Sequence, residues 1–404
     1  RFALDDITKI TRWKRISPTT QGRDLWWLEY GGRLDTIHDA EAIKWELWRI
    51  VYGIWDYIKN SGKFPEAETL TLEWVGTVPG KRESRRFEGD YMLTQRDVVE
   101  RTRHADAVAH GGWSMDLHPA DGVYSEHPPC SQWHSKGVYS IPFRAMYSRN
   151  IENLFLAGRI ISASHVAFGS IRVMATCAQN AQAVGMAAAI CRTESIPPAE
   201  LARPEHIGRL QRELARTGQF IPGYVLDDPD DLARRATVTA SSRLCLDELP
   251  ADGALHRLEY PRAMLLPVGP GPMPRVAFRV DVERDTRLIA SLRSAREPDV
   301  YTPEQTWATR TIELAAGADQ TVWIDFDVEF DEARYVFVCL DANDDVLVRG
   351  SRRLVTGLKS VAHLGRAEVT AGAVQSPPDG LGVERFEFWR PLPGLEGENL
   401  AMRF

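Results

Sequence analysis

Apolar residues recur at helical spacing over residues 39–60, where Ile43, Leu47, Ile50, Val51, Ile54, Trp55 and Ile58 fall three or four apart. That spacing predicts an amphipathic helix. Asp39 stands where an N-cap belongs, and Gly62 follows the end. The tryptophans inside this helix read as core. Alternation over 69–78 predicts a strand closed by the Pro79-Gly80 turn, and 25–30 reads as a strand ending at Gly31-Gly32. Thr94-x-x-Asp97 has the outline of a capping box and opens a short helix. Residues 104–140 are loop-rich. A short apolar run at 154–157 has the length of a buried strand, ended by Gly158. A loop of small and polar residues follows, and an Ala-rich helix is expected from Ser170 to about Cys191, with Ser170 as its N-cap. Pro197-Pro198 breaks the chain before another helix over 205–216.

From about residue 236 the pattern changes to short strands: 236–240, 275–282, 287–292, 309–314, 320–326, 335–340 and 346–348. Gly269-Pro270-Gly271, Gly317 and Asn343-Asp344 supply turns between them. Strands at that spacing suggest a β-sandwich. Residues 365–404 are rich in Gly and Pro, with one strand-like piece at 385–389. The chain therefore divides into 1–150, 151–224, a β domain over 235–361, and a tail over 362–404. Its fold class is α/β (α+β) followed by an all-β, sandwich-like domain.

A length of 404 residues suits two or three such domains, and an apolar fraction of 44% suits a substantial core. The net charge of −7 argues against a general nucleic-acid binder. The longest apolar stretch carries Arg172, Gln179, Asn180 and Gln182, so no membrane partner is expected. Five cysteines without a framework spacing point to reduced thiols and a cytoplasmic setting. The start at Arg1 suggests part of a longer protein. Nothing in the sequence sets an oligomeric state. Nine of the twelve tryptophans precede residue 134, which predicts a thick aromatic core or a roofed pocket there. Six of the ten histidines fall between His104 and His165, and loops on a rigid scaffold are where chemistry concentrates.

A helix N-terminus behind Gly158 and Gly169 suits an anion or an electron-rich ring edge; an ordinary βα unit with a close helix contact is the plainer alternative. The residues themselves carry a resemblance. Asn-Leu-Phe-Leu-Ala-Gly-Arg (153–159), the run Ser-Ala-Ser-His-Val-Ala-Phe-Gly-Ser-Ile-Arg-Val-Met-Ala-Thr-Cys-Ala (162–178) and Gln-Ala-Val-Gly-Met-Ala-Ala-Ala (182–189) closely resemble the flavin-contacting segment of the FAD-dependent oxidoreductase family, distant relatives of the fumarate reductase type. One departure is Ala181, where the family usually has Gly. The resemblance implies FAD as cofactor. It brings Gly158 and Arg159 near the ribityl–phosphate region, and lines the ring with Ser162, Ser164 and His165. Gly169, Ser170, Ile171 and Arg172 would then stabilise the charge that reduced flavin accumulates.

Gly111-Gly112-Trp113-Ser114-Met115-Asp116-Leu117-His118 and Tyr139-Ser140-Ile141-Pro142-Phe143-Arg144 also look like the family. Oxidation of a C–H bond by flavin needs a base for the proton and a group that holds the substrate. His118, His134 and Arg144 are the right residue types, and Asp116 orients His118 if the loop folds back. Tying a long loop together is the alternative role for Asp116 and His118. The run Arg82-Glu83-Ser84-Arg85-Arg86 is a solvated turn or, through Arg82 or Arg85, a pocket cation for a carboxylate or phosphate. His127, Cys130 and His134 are only loosely compatible with zinc, so no metal is expected.

Gly-x-Gly-x-x-Gly, the fingerprint for the ADP half of FAD, does not occur. The resemblance covers roughly 20–224, matching the C-terminal half of the module, so the chain alone is expected to hold FAD poorly. The expected function is hydride transfer from a small organic substrate, such as a carbohydrate-derived alcohol or an acid, to FAD. A glycan-binding or interaction protein with a vestigial flavin fold is the main alternative, and a zinc-dependent hydrolase the third.

Overall fold

The computed structural model describes residues 2–16, 25–242, 245–363, 389–390 and 398–404. They form two units: the described residues of 1–133 and 139–221 make the first, and the described residues of 134–138 and from 222 onward make the second. Among the described residues, no helix is long and apolar enough to cross a membrane.

In the first unit, helix α1 (Ala40–Asn60) buries Ile43, Ile50, Ile54 and Ile58 on one face. Ile50, Ile54 and Ile58 share a cluster with Leu4, Ile10, Trp27 and Val123. Burying each such side chain is worth about 2 kcal/mol. Asp39 does not cap the helix with its side chain; its carboxylate accepts the Asp35 amide at 3.1 Å and ties down the preceding turn. The tryptophans are core only in part, with Trp55 of α1 packed half-buried against this cluster. Trp27 and Trp133 are buried, but Trp13, Trp26, Trp45, Trp74 and Trp113 are 45–77% exposed. Trp45 and Tyr52 lie on the solvent side of α1 and meet Phe2 edge to face, at 5.9 and 6.1 Å between ring centres.

Segments 25–30 and 69–78 are extended or turned but are not strands. An isolated alternating stretch has no ladder to join unless another edge is presented to it. Helix α2 (Gln95–Glu100) has the expected capping box, with the Thr94 amide donating to Asp97 Oδ2 at 2.7 Å. Two short hairpin-like pairs occupy the loop-rich region. Strand β1 (Ala107–Gly111) and strand β4 (Tyr139–Pro142) pair antiparallel, as do β2 (Met115–Leu117) and β3 (Ser131–Trp133). Strands of three to five residues are too short to show a period.

Residues 154–157 are not a strand; Phe155 makes a single bridge to Tyr147. The helix expected from Ser170 is two helices. Helix α3 (His165–Ile171) is capped by the Ser164 hydroxyl, which accepts the Ala167 amide at 3.4 Å. Helix α4 (Met174–Glu194) begins after an extended Val173 and has no side-chain cap. Ser170 is therefore not an N-cap, and 169–172 is the C-terminal end of α3, where carbonyls rather than amides are unpaired. Gly169 is spent on packing: a Cβ there would fall 2.9 Å from the Asp116 carbonyl oxygen and 3.1 Å from its amide nitrogen. Helix α3 thus lies directly on β2. Helix α4 packs on β1 and on α5 (Pro204–Arg216).

The second unit is β-rich. One antiparallel sheet runs Gln305–Leu314, Thr286–Ser294, Arg334–Leu340, Arg262–Val268, Lys359–His363, Trp389–Arg390. The other is built on Val276–Val282, paired with Gly317–Ile324, Asn343–Ser351 and Met402–Arg403. Met264, Leu288, Val336 and Val338 of the first sheet and Phe278, Val280, Val322 and Val348 of the second share one buried core. Residues 236–240 are exposed and not a strand. The piece at 385–389 lies outside the described residues apart from Trp389. Arg262–Val268 and Lys359–His363 are strands that the alternation did not reveal.

Candidate active site

Strand β2 carries Asp116 to the base of a charged cluster, and His118 follows at its end. Asp116 Oδ2 accepts from Arg172 Nη2 at 3.0 Å, so the break between α3 and α4 falls at the residue that reaches back to β2. The same Arg172 nitrogen donates to His118 Nε2 at 2.9 Å. The other ring nitrogen, Nδ1, lies 2.8 Å from Glu29 Oε2, and Arg82 pairs with the second oxygen of Glu29. A guanidinium has only donors, so Nε2 is an acceptor here and the ring proton sits on Nδ1, donated to Glu29. The Trp26 ring meets His118 edge-on at 5.8 Å. His118 and Asp116 side chains are 16% and 14% exposed.

Burial alone would lower the His118 pKa, but pairing with the Asp116 and Glu29 carboxylates outweighs it and raises the value. Burial alone would raise Glu29 and Asp116; pairing with His118, with Arg172 behind both and Arg82 behind Glu29, brings each carboxyl below its usual range. The signs are opposite. A raised histidine contributes stability that is complete below an ordinary pKa of about 6.5 and is lost as pH climbs through its folded value. The depressed carboxyls contribute stability above about pH 4 that is lost in acid. His118→Asn should therefore remove a decline in melting temperature above about pH 6.5 that the wild type shows. Parallel Tm–pH curves for the two proteins would refute the assignment. Burial, then the Asp116 charge and hydrogen bond, push the Cys130 thiol up to about 12, so it is no nucleophile.

The remaining expected residues separate into groups. Ser162, Gly169, Ser170 and Ile171 are buried. The Ser170 hydroxyl is within 2.6 Å of both the Trp113 carbonyl and the Tyr139 hydroxyl. Ser162 bonds Ala145 and Leu93 through its backbone, while its hydroxyl has no partner among the described residues. Gly158, Arg159, Ser164, His165 and Arg172 keep some accessible surface. Gly158 has φ +66°, a left-handed conformation, and a Cβ would find only Cys177 Cβ, at 3.9 Å. Arg159 Nη1 reaches the Lys81 and Arg82 carbonyls at 3.4 and 3.3 Å. His165 Nδ1 stands 2.9 Å from Glu83 Oε2 and 3.3 Å from Arg86 Nη2. Burial, then the Arg86 and Arg172 charges, lower its pKa.

Arg144 belongs to another network. Its Nε and Nη2 donate to the two Asp106 oxygens at 3.0 and 3.1 Å, and its guanidinium lies over Tyr91. His134 falls in the second unit with 135–138, where Lys136 pairs with Glu304 at 3.1 Å and the Val138 amide donates to Asp299. Among the described residues, His127, Cys130 and His134 do not form a metal-holding group. Glu29 is the residue that sequence reasoning missed: it lies 89 positions from His118, inside a stretch that reads as a strand.

A model of the family described as FAD dependent oxidoreductase matches residues 2–214. No curated protein and no solved structure matches the chain.

Proposed function

Because the chain belongs to the FAD dependent oxidoreductase family, with FAD as its cofactor, we propose that it oxidises a small organic substrate by hydride transfer, with His118 as the base. The observation that carries this is the bracketing of one imidazole: Nδ1 is anchored on Glu29 while Nε2 shares Arg172 with Asp116. That leaves a basic nitrogen with a cation beside it.

The residues fit the cofactor. Gly158 leaves open space over its backbone, as a close approach by a flat or phosphorylated group requires. Arg82, Arg86, Arg159 and Arg172 supply cations for a phosphate or an anionic ring edge. The buried, unpartnered Ser162 hydroxyl lies in the same segment. Gly158, Arg159, Ser164, His165 and Arg172 are the residues that would hold FAD. When bound, FAD supplies the two-electron acceptor. For an alcohol, the carbon would give up hydride to that acceptor, Arg172 would turn its N–H from His118 Nε2 to the substrate oxygen, and the hydroxyl would pass its proton to the freed Nε2 lone pair, leaving a carbonyl. Arg172 then faces the oxygen that becomes negative, and Glu29 and Asp116 balance the imidazolium. We assign a carbohydrate-derived alcohol or an acid as substrate. On this reading residues 1–150 form the substrate side, 151–224 the flavin-contacting side, and the β-sandwich is an accessory.

A second reading, a glycan-binding protein with a vestigial flavin fold, draws support from one feature. Phe2, Trp45, Trp48 and Tyr52 line a groove of about 690 Å³ with Asp56 and Asn60 beside them, and sugar faces stack on such rings. The visible spectrum separates the two. The purified protein supplied with FAD should be yellow and bleach anaerobically with a member of a panel of sugar alcohols and hydroxy acids. At FAD concentrations high enough to load even a weak site, a difference spectrum with neither bound flavin nor substrate-dependent bleaching supports the binding module instead.

A further inference from the structure

We propose that Glu29 is a positioning residue that selects the tautomer of His118, keeping the proton on Nδ1 and the lone pair on Nε2. This rests on the reading of His118 as the base, but its evidence is separate. Two carboxylates bracket one imidazole. Glu29 Oε2 is 2.8 Å from Nδ1, whereas Asp116 Oδ2 is 3.6 Å from Nε2. Either could take the single ring proton of neutral histidine, and the one that takes it decides which nitrogen is basic.

Three features weight the choice toward Glu29. Its contact is the one of hydrogen-bond length, 2.8 against 3.6 Å. Asp116 is already engaged, since Arg172 donates to it at 3.0 Å and the same guanidinium nitrogen lies 2.9 Å from Nε2. A proton on Nε2 would point at that N–H, so the tautomer that Asp116 favours is opposed by Arg172. Lastly, Glu29 is held from both ends. Arg82 fixes its carboxylate, and its carbonyl accepts the Val123 amide at 2.8 Å. The groups that face His118 are thus Glu29 from segment 25–30, Asp116 from β2, Arg172 from the end of α3 and the Trp26 ring, with Arg82 and Cys130 one contact further out. Without Glu29, Nδ1 loses its acceptor, Arg172 swings its N–H off Nε2 onto Asp116 alone, and the proton moves to Nε2 toward that carboxylate. The lone pair then faces away from Arg172.

The test is long-range ¹H–¹⁵N NMR of the ¹⁵N-histidine-labelled full protein, read with flavin reduction in its FAD-loaded form. In wild type, His118 should show a protonated Nδ1 and an acceptor-type Nε2. Glu29→Ala should invert the two signals and slow flavin reduction on the order of 10²-fold or more, as a wrong tautomer does in other His-based sites. Glu29→Gln, whose amide oxygen still accepts from Nδ1, should restore the wild-type tautomer while His118 titrates at lower pH. A Glu29→Ala protein with the Nδ1–H tautomer intact overturns the proposal. Should Glu29→Ala fail to fold, an unchanged titration in Glu29→Gln overturns it equally. If the signals invert but reduction is not slowed, Glu29 does position His118, and it is the reading of His118 as base that fails.

Discussion

Replacing His118 with alanine should slow substrate-dependent bleaching of the bound FAD by about 10²- to 10⁴-fold, or about 3–5 kcal/mol of barrier. A positioned base contributes that much when its pKa lies near the working pH, and the raised pKa of His118 moves it in that direction. The spectrum of the oxidised flavin should persist, because His118 is anchored through Glu29 and Arg172 rather than through the exposed loop of Gly158 and Arg159. The rate in the wild type should fall on the acid side as the imidazole becomes protonated, and that limb should vanish in His118→Ala. Anaerobic stopped-flow absorbance reads both. An unaltered rate would remove His118 from the chemistry and return it to the role of tying a loop to Glu29.

The second large effect is on stability. Gly122→Ala should cost about 3 kcal/mol, from overpacking plus the strain of a side chain in left-handed backbone. Gly122 has φ +55°, and a Cβ there would press on the Glu29 carbonyl, only 2.8 Å from its carbon and 3.3 Å from the Tyr30 nitrogen. Both neighbours are backbone, so no rotamer change relieves the contact. The Val123 amide bond to Glu29 would be lost first, and with it the support under the His118 anchor. Gly62 is the control: it also has positive φ, +71°, but none of the described residues lies within 4 Å of its added Cβ. Gly62→Ala should cost about 1 kcal/mol, the conformational part alone. Thermal denaturation should place Gly122→Ala well below Gly62→Ala; equal melting temperatures would mean that the turn at Gly122 moves freely away from Glu29.

Local pattern carried a good part of the architecture. The spacing of Ile43, Ile50, Ile54 and Ile58 specifies α1 to within a residue at each end, since a helix face is written every three or four positions. Thr94 and Asp97 specify the start of α2 because a capping box closes within four residues. The alternation toward the end of Val276–Val282 and the unbroken apolar run within Arg334–Leu340 are equally local. The contiguous run from Asn153 to Ala189 was enough to indicate the flavin family.

What the sequence by itself determined, then, are the elements whose signals lie within a few residues, the family, and the residue types of the chemistry. Only the tertiary structure decided which of those residues meet. Asp116 and Arg172 are 56 positions apart, and Glu29 and His118 are 89 apart. No periodicity links them, because their approach depends on α3 lying on β2 at Gly169 and on the Gly122 turn lying under Glu29. The same packing hid the break between α3 and α4, buried Ser162 and Ser170, and gave Arg144 to Asp106. Helix caps and sheet alternation arise from neighbouring backbone groups, whereas a charged cluster needs distant segments to exclude water together, and that is settled only when the whole unit has packed.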